Sequence, residues 1–262
     1  VASEDFLKYV SGEKSHLSSQ QDAAKGLKSI SVDQGAHFNV ANDLTLQAGK
    51  VTVADGVTFL VTAGTRKAGL NVISAETLSV KADDEGAGPE KGTMAQGNDV
   101  AFHGTVEADA NRDVEVGISG SAVNLDRAKF RMLRGRLDVL AVQSAAGEYR
   151  VLANNEEAGS DTTSATAANV VQADGMEIKG NLRGTEIMGG KVELKNTTVK
   201  TSGKIVINAY NSCDSKDYEK KTAYANELRE ERTSKADKDN VVRLENTKLL
   251  NENSDFHNSS RV

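Results

Sequence analysis

The sequence predicts an all-β chain and, among all-β architectures, a β-solenoid. Apolar residues recur with period two over stretches of four to six residues, the mark of strands with one buried face. Gly, Asn, Asp and Thr-Ser pairs separate those stretches, and these are the residues that turns require. The composition suits thin stacked layers better than one large centre: no Trp, 4% aromatic residues, many small aliphatics and a single proline, Pro89. Scarce proline fits long uninterrupted ladders, because proline has no amide hydrogen to give them.

Taken in order, residues 1–25 form an N-terminal extension in which Ser3 is placed to cap a short helix through Phe6, Leu7 and Val10. The solenoid is expected over 26–209. Its strands are marked by Leu44, Leu46 and Ala48; Val51 and Val53; Val57, Phe59 and Val61; Leu70 and Val72; and Leu78, Val80 and Ala82. The alternation continues through Val100 and Phe102, Val114 and Val116, Val123 and Leu125, and Leu137, Val139 and Ala141. It ends with Met176 and Ile178, Val192 and Leu194, and Ile205 and Ile207. Two polar, turn-rich stretches, 83–98 and 154–169, read as loops projecting from the stack. Residues 210–240 carry dense charge of both signs and read as an extra-helical excursion, helix or hairpin. Alternation with Asn-rich corners returns over 241–262.

A degenerate repeat lies behind the strands: LTLQA, LSVKA, LDVLA, MEIKG, VELKN and IVINA, each apolar-x-apolar-x-small or Asn. The last two are thirteen residues apart, Val192 to Ile205, with Gly190 and Gly203 before them as corners. Repeats of this kind are units that bury their faces only against one another. Equivalent residues then stack about 4.8 Å apart. Aliphatic ladders are expected inside, with Val192, Leu194, Ile205 and Ile207 pointing in, and Asn and Thr ladders at the corners.

The net charge of −6 argues against nucleic acid as the main partner, which calls for a basic footprint. No apolar run is long enough to span a membrane as a helix. The start, Val1-Ala2-Ser3-Glu4-Asp5, has neither the basic nor the apolar part of a signal peptide and no initiator Met, so the chain reads as a fragment of something larger. The single cysteine, Cys213, builds neither a disulfide framework nor a Cys-rich metal site within the chain.

The stretch MEIKGNLRGTEIMGGKVELKNTTVKTSGKIVINA, 176–209, resembles the repeats of filamentous-haemagglutinin-type exoproteins, the TpsA proteins of Gram-negative two-partner secretion. Thr198-Val199-Lys200-Thr201-Ser202-Gly203 and the strand ending at Ala209 follow that pattern, as do LTLQAG (44–49) and DVEV (113–116). The charged stretch 210–235 matches, in placement and composition, the excursion that often follows such an alanine. The resemblance implies a right-handed parallel β-helix in a long secreted filament on the bacterial cell surface. It also implies attachment to a receptor or glycan on host or neighbouring cells, or display of an effector as in contact-dependent inhibition. The implied partner of the full-length protein is an outer-membrane two-partner transporter. No catalysis and no cofactor are expected.

Five cations form the leading candidate site. In DRAKFRML, Arg127, Lys129 and Arg131 alternate with Ala128, Phe130 and Met132, which sets three cations on one outward face, with Arg134 and Arg136 close behind. Such a row suits sulfated glycans or anionic lipopolysaccharide; the plainer reading is a solvated face, and it is favoured. Asp83 with Asp84, and Asp109 with Asp113, have the residue types of a glycosidase pair or a calcium site, but turn caps explain them more simply. His16, His37, His103 and His257 are scattered with no second ligand nearby, and Cys213 has no evident partner. Gly189-Gly190 is a corner, since no Lys-Ser/Thr helix follows. The competing functions are a polysaccharide-binding or polysaccharide-cleaving β-helix, as in lyases and tailspikes, and an autotransporter passenger. The enzyme reading wants aromatics aligned for sugars, whereas the six Phe and five Tyr are dispersed along the chain.

Overall fold

The computed structural model describes residues 28–41, 43–62, 68–75, 82–83, 86–87, 91–108, 113–132, 134–148, 163–180, 184–209, 212–213, 240–251 and 260–261. Within them the chain is a parallel β-helix. Three sheets, each of seven parallel strands, run the length of the stack, and every coil gives one strand to each sheet. We call the sheets faces A, B and C in chain order. Coil 1 is Ile30–Val32, His37–Val40 and Asp43–Ala48; coil 2 is Val51–Val53, Thr58–Val61 and Ala68–Ser74. Coil 3 is Asp99–Phe102, Thr105–Ala108 and Val114–Gly120; coil 4 is Ala122–Asn124, Lys129–Arg131 and Gly135–Ala141. Coil 5 is Val170–Asp174, Glu177–Lys179 and Gly184–Gly189; coil 6 is Lys191–Lys195, Thr198–Thr201 and Ile205–Ala209. Coil 7 is Val242–Glu245, Lys248–Asn251 and Ser260–Arg261.

Period-two patterning becomes vertical ladders because the pairing is parallel and in register. On face A, Ile30, Val51, Val100, Val123, Val171, Val192 and Val242 form one column. On face C, Leu46, Val72, Ile118, Val139, Ile187 and Ile207 form another. These side chains and their neighbours make one continuous core inside the coil. Four of the six phenylalanines, dispersed in sequence, meet there in a single pile. Phe38, Phe59, Phe102 and Phe130 stack with ring centroids 4.8, 5.8 and 5.7 Å apart. Coil 3 supplies its ring from face A, because Val106 holds the matching face B position. Corners use residues that tolerate a left-handed backbone, as at Gly56, Asn196 and Asn246. There the expected Asn ladder forms: Asn246 donates to Asn196 at 2.7 Å, and Asn196 to Asp174 at 2.8 Å.

The thirteen-residue repeat is not the unit of stacking. VELKN and IVINA are faces A and C of the same coil, coil 6, whereas the coil itself takes 21 residues from Val171 to Val192. Short and long coils alternate: 21 residues from Ile30 to Val51, 49 to Val100, 23 to Val123, 48 to Val171, 21 to Val192 and 50 to Val242. The true period is therefore two coils, about 71 residues, as Val100, Val171 and Val242 show.

All three long segments, 75–98, 142–169 and 210–241, interrupt the same corner, between face C and face A. The described parts of the first two are not free projections. Lys91–Met94, Gln143–Glu148, Thr163–Ser164 and Ser212–Cys213 pair antiparallel into one side sheet drawn from all three insertions. Beneath it lies a second apolar cluster, where Met94, Val142 and Ala165 meet Ile73, Ala75, Leu140 and Met188. Ala82–Asp83 and Gly86–Ala87 pair as a separate small hairpin. The helix expected in 1–25, most of 210–240, and the strand at Leu78 and Val80 lie outside the described residues. Among the described residues none is helical, and no helix is long and apolar enough to cross a membrane.

One device locks each insertion back onto the stack. Asn98, Asn169 and Asn240 lie 71 residues apart and precede the face A strands of coils 3, 5 and 7. Each side-chain amide donates to the backbone carbonyl of the residue one coil below: Gly49 at 2.9 Å, Ser121 at 2.9 Å and Gly190 at 2.8 Å. The column thus alternates a small residue with Asn. Asn98 and Asn169 also accept, through Oδ1, the amide hydrogens of Ala95 and Thr166, each at 2.8 Å, which closes the turn ahead of them. Gly190 has to be glycine, because any Cβ would collide with the backbone of Thr166 in the insertion one coil below.

Candidate functional site

The five predicted cations do not form one patch. Lys129 and Arg131 stand outward on face B of coil 4, as alternation requires. Arg127 is not on the strand: it occupies the A–B corner with φ of 60°, and its guanidinium lies 3.4 Å from Asp55. Arg134 pairs with Asp113 at 3.2 Å beyond the next corner. Arg136 belongs to face C, where it contacts Asp138 at 2.8 Å and Glu186 at 3.4 Å. The chain turns between these positions, so closeness in sequence does not become closeness on a face.

Face B gathers other cations instead. The outward column that holds Arg131 continues through Lys179 and Lys200 on coils 5 and 6. The adjacent column runs Lys129, Glu177, Thr198 and Lys248. Arg131 lies 3.0 Å from Glu107 and 3.5 Å from Glu177, and Lys179 lies 3.1 Å from the same Glu177. The hydrogen bond from Lys179 holds Glu177 below the usual carboxylate range; Arg131 lowers it further, against an opposing effect of partial burial. Two cations thus share one carboxylate.

A second cluster lies on the outer side of face C. Glu115, Arg136, Asp138 and Glu186 come from coils 3, 4 and 5, with Arg136 above Glu115 and Glu186 above Asp138. Asp138 is 2% exposed and Glu115 3% exposed, although both point away from the core. Burial pushes the Asp138 carboxyl up to about 7; Arg136 pulls it down, while Glu186 and Glu115 act with burial. A shifted carboxyl is a common sign of a functional site. With 2% exposure, however, this one is closed to a polymeric substrate in the observed arrangement. Period-two patterning alone places Asp138 in solvent; only the buried outer side of face C brings it inside.

The remaining candidates have structural roles or fall outside the described residues. His103 is half-buried at a corner, with Nδ1 2.8 Å from the Asp126 carbonyl. His37 is an exposed strand residue at the start of face B on coil 1. Asp83 lies in the small hairpin and Cys213 in the side sheet, opposite Thr163. Gly190 stands at a corner, and Gly189 ends the face C strand of coil 5, paired with Ala209. Asp84, Asp109, His16 and His257 are outside the described residues. Among the described residues, no group of three or more His, Cys, Asp or Glu is placed to hold a metal ion. The four described phenylalanines stack inside the coil, so none lines an outer face for sugars.

No family model matches the chain, and no curated protein or solved structure matches it.

Proposed function

We propose that this chain is a structural and adhesive rod segment of a large secreted bacterial exoprotein, of the filamentous-haemagglutinin kind that its repeats resemble. It sets length and displays lateral elements at the cell surface, for attachment to host or neighbouring cells or as the stalk of an inhibition effector. It performs no chemistry, and the full-length protein leaves the cell through an outer-membrane two-partner transporter.

This reading rests on the placement of the insertions. Every second coil opens at the same corner, and the three insertions join in one side sheet along one edge of the rod. A stack whose long interruptions recur at one edge has the layout of a scaffold for display. The second support is the continuous core, whose in-register apolar ladders run along the stack.

A glycan array combined with a turnover assay tests it. Binding to cell-surface glycans or to intact cells, with the polymer left uncut, is the expected result. Depolymerisation of any polysaccharide on the array overturns the reading.

A further inference from the structure

We infer that the outward side of face B, over coils 4 to 7, is a docking strip for a linear acidic polysaccharide. This role rests on the adhesive reading above and names the chemistry of the partner.

The strip consists of Lys129, Arg131, Lys179, Lys200 and Lys248, with Glu177 as the one acidic residue among the described outward face B positions of coils 4 to 7. Lys129, Arg131, Lys179 and Lys248 are exposed and Lys200 is half-exposed. In a chain of net charge −6 such a concentration does not follow from composition.

Two faces of the same coils treat charge differently. Parallel in-register stacking puts outward residues of successive coils about 4.8 Å apart, where like charges repel. Face A obeys that constraint. Its columns read Asp174, Lys195, Glu245 and Gln172, Glu193, Arg243, so opposite signs meet. Lys195 and Glu245 are 3.4 Å apart, as are Arg243 and Glu193. Face B breaks the constraint with three consecutive cations, Arg131, Lys179 and Lys200. Glu107 below Arg131 and Glu177 beside it offset part of that charge, and the strip keeps a net positive sign. A chain that alternates signs on one face and repeats them on the next has a face suited to an external polyanion.

The geometry favours a polysaccharide over a nucleic acid. The cations lie in two adjacent columns along the stacking axis of one sheet, which fits one extended strand carrying periodic sulfates or carboxylates. None of the described aromatic rings faces outward for base stacking, and the overall negative charge disfavours a duplex. The acidic A–B corner, with Asp126 and Asp174 on successive coils, borders the strip and confines an anion to the face.

The test uses the whole 262-residue chain and fluorescent oligosaccharides of dextran sulfate and polygalacturonate, read by anisotropy at low and high salt. The wild type should bind at least one of them, and binding should weaken with salt. Lys179→Glu with Lys200→Glu should weaken it by about tenfold or more. Lys28→Glu with Lys50→Glu makes the same charge change at exposed positions beside coils 1 and 2 and should leave affinity within about twofold. Circular dichroism melts of both double variants establish that they are folded, and Lys179→Gln with Lys200→Gln replaces the reversal if it is not. The strip is overturned by no binding of either polymer, by equal losses in both double variants, or by tighter binding of single-stranded DNA of the same charge. If only the strip fails, intact-cell binding persists in the Lys179/Lys200 variant; if the adhesive reading fails, the wild type itself binds no cells.

Discussion

The first four coils and the last three are built on one backbone plan and filled differently. Inside coils 1 to 4 runs the pile of Phe38, Phe59, Phe102 and Phe130; above it the same interior is filled by Ile178, Val199 and Leu249. Outside, face A of the lower coils carries Ser31, Thr52, Ala101 and Asn124, small and uncharged, and the corresponding positions higher up carry Glu193 and Arg243. The parallel ladder therefore sets the coil independently of what lines it. Inward residues need only be apolar and sum to the right volume. Outward residues answer instead to the charge one coil above and below.

Removing a ring puts this contrast under the greatest load. Phe102→Ala should destabilise the chain by about 4 kcal/mol, because it empties the middle of the aromatic pile, whereas Ile178→Val should cost about 1 kcal/mol. Urea denaturation monitored by circular dichroism would show it, and a cost for Phe102→Ala no larger than that for Ile178→Val would mean that the ring site is not close-packed. Next comes pH, because the lower region extends into the acidic cluster of face C. Asp138 has a raised pKa, so its contribution to stability is complete below the unfolded value near 4 and is lost as pH rises through about 7. On this account the wild type should lose about 2 kcal/mol between pH 5 and pH 7, and Asp138→Asn should flatten that slope. A wild-type melting temperature that is flat or rising over this range contradicts the assignment.

Single hydrogen bonds and ion pairs come lower. Asn169→Ala removes a buried amide from the Ser121 carbonyl and an acceptor from Thr166, and should cost about 2 kcal/mol. Asn240→Ala, at a half-buried position before coil 7, should cost less, about 1 kcal/mol, in the same denaturation assay. Least of all, Lys195→Ala breaks an exposed pair with Glu245 and should shift stability by under about 0.5 kcal/mol. A larger shift would mean that the charged columns of face A carry the upper coils, and the contrast with the aromatic pile would then disappear.

The strands were legible because period two survives in short stretches, as at Leu44, Leu46 and Ala48 or Leu137, Val139 and Ala141, and because corners need Gly or Asn. The coil length was not. VELKN and IVINA look alike because both fill a buried-outward alternation, and nothing local says that they are two sides of one turn. The signal that would have found the true unit was the trio Asn98, Asn169 and Asn240, each followed two residues later by valine, at a spacing of 71. For the candidate cations, alternation puts Lys129 and Arg131 on one outward face, whereas Arg127, Arg134 and Arg136 are near them only along the chain.

Alternation and turn chemistry act over a few residues, so the sequence alone specified a stack of short strands with an aliphatic core. Which residues lie above one another was settled in the folded stack. There four distant phenylalanines form one pile, three insertions share one side sheet, and Arg131, Lys179 and Lys200 make one line of charge. The cause is register. Neighbours about 4.8 Å apart in the stack are set by hydrogen bonding between coils that lie 20 to 50 residues apart in the chain, a distance no local pattern encodes.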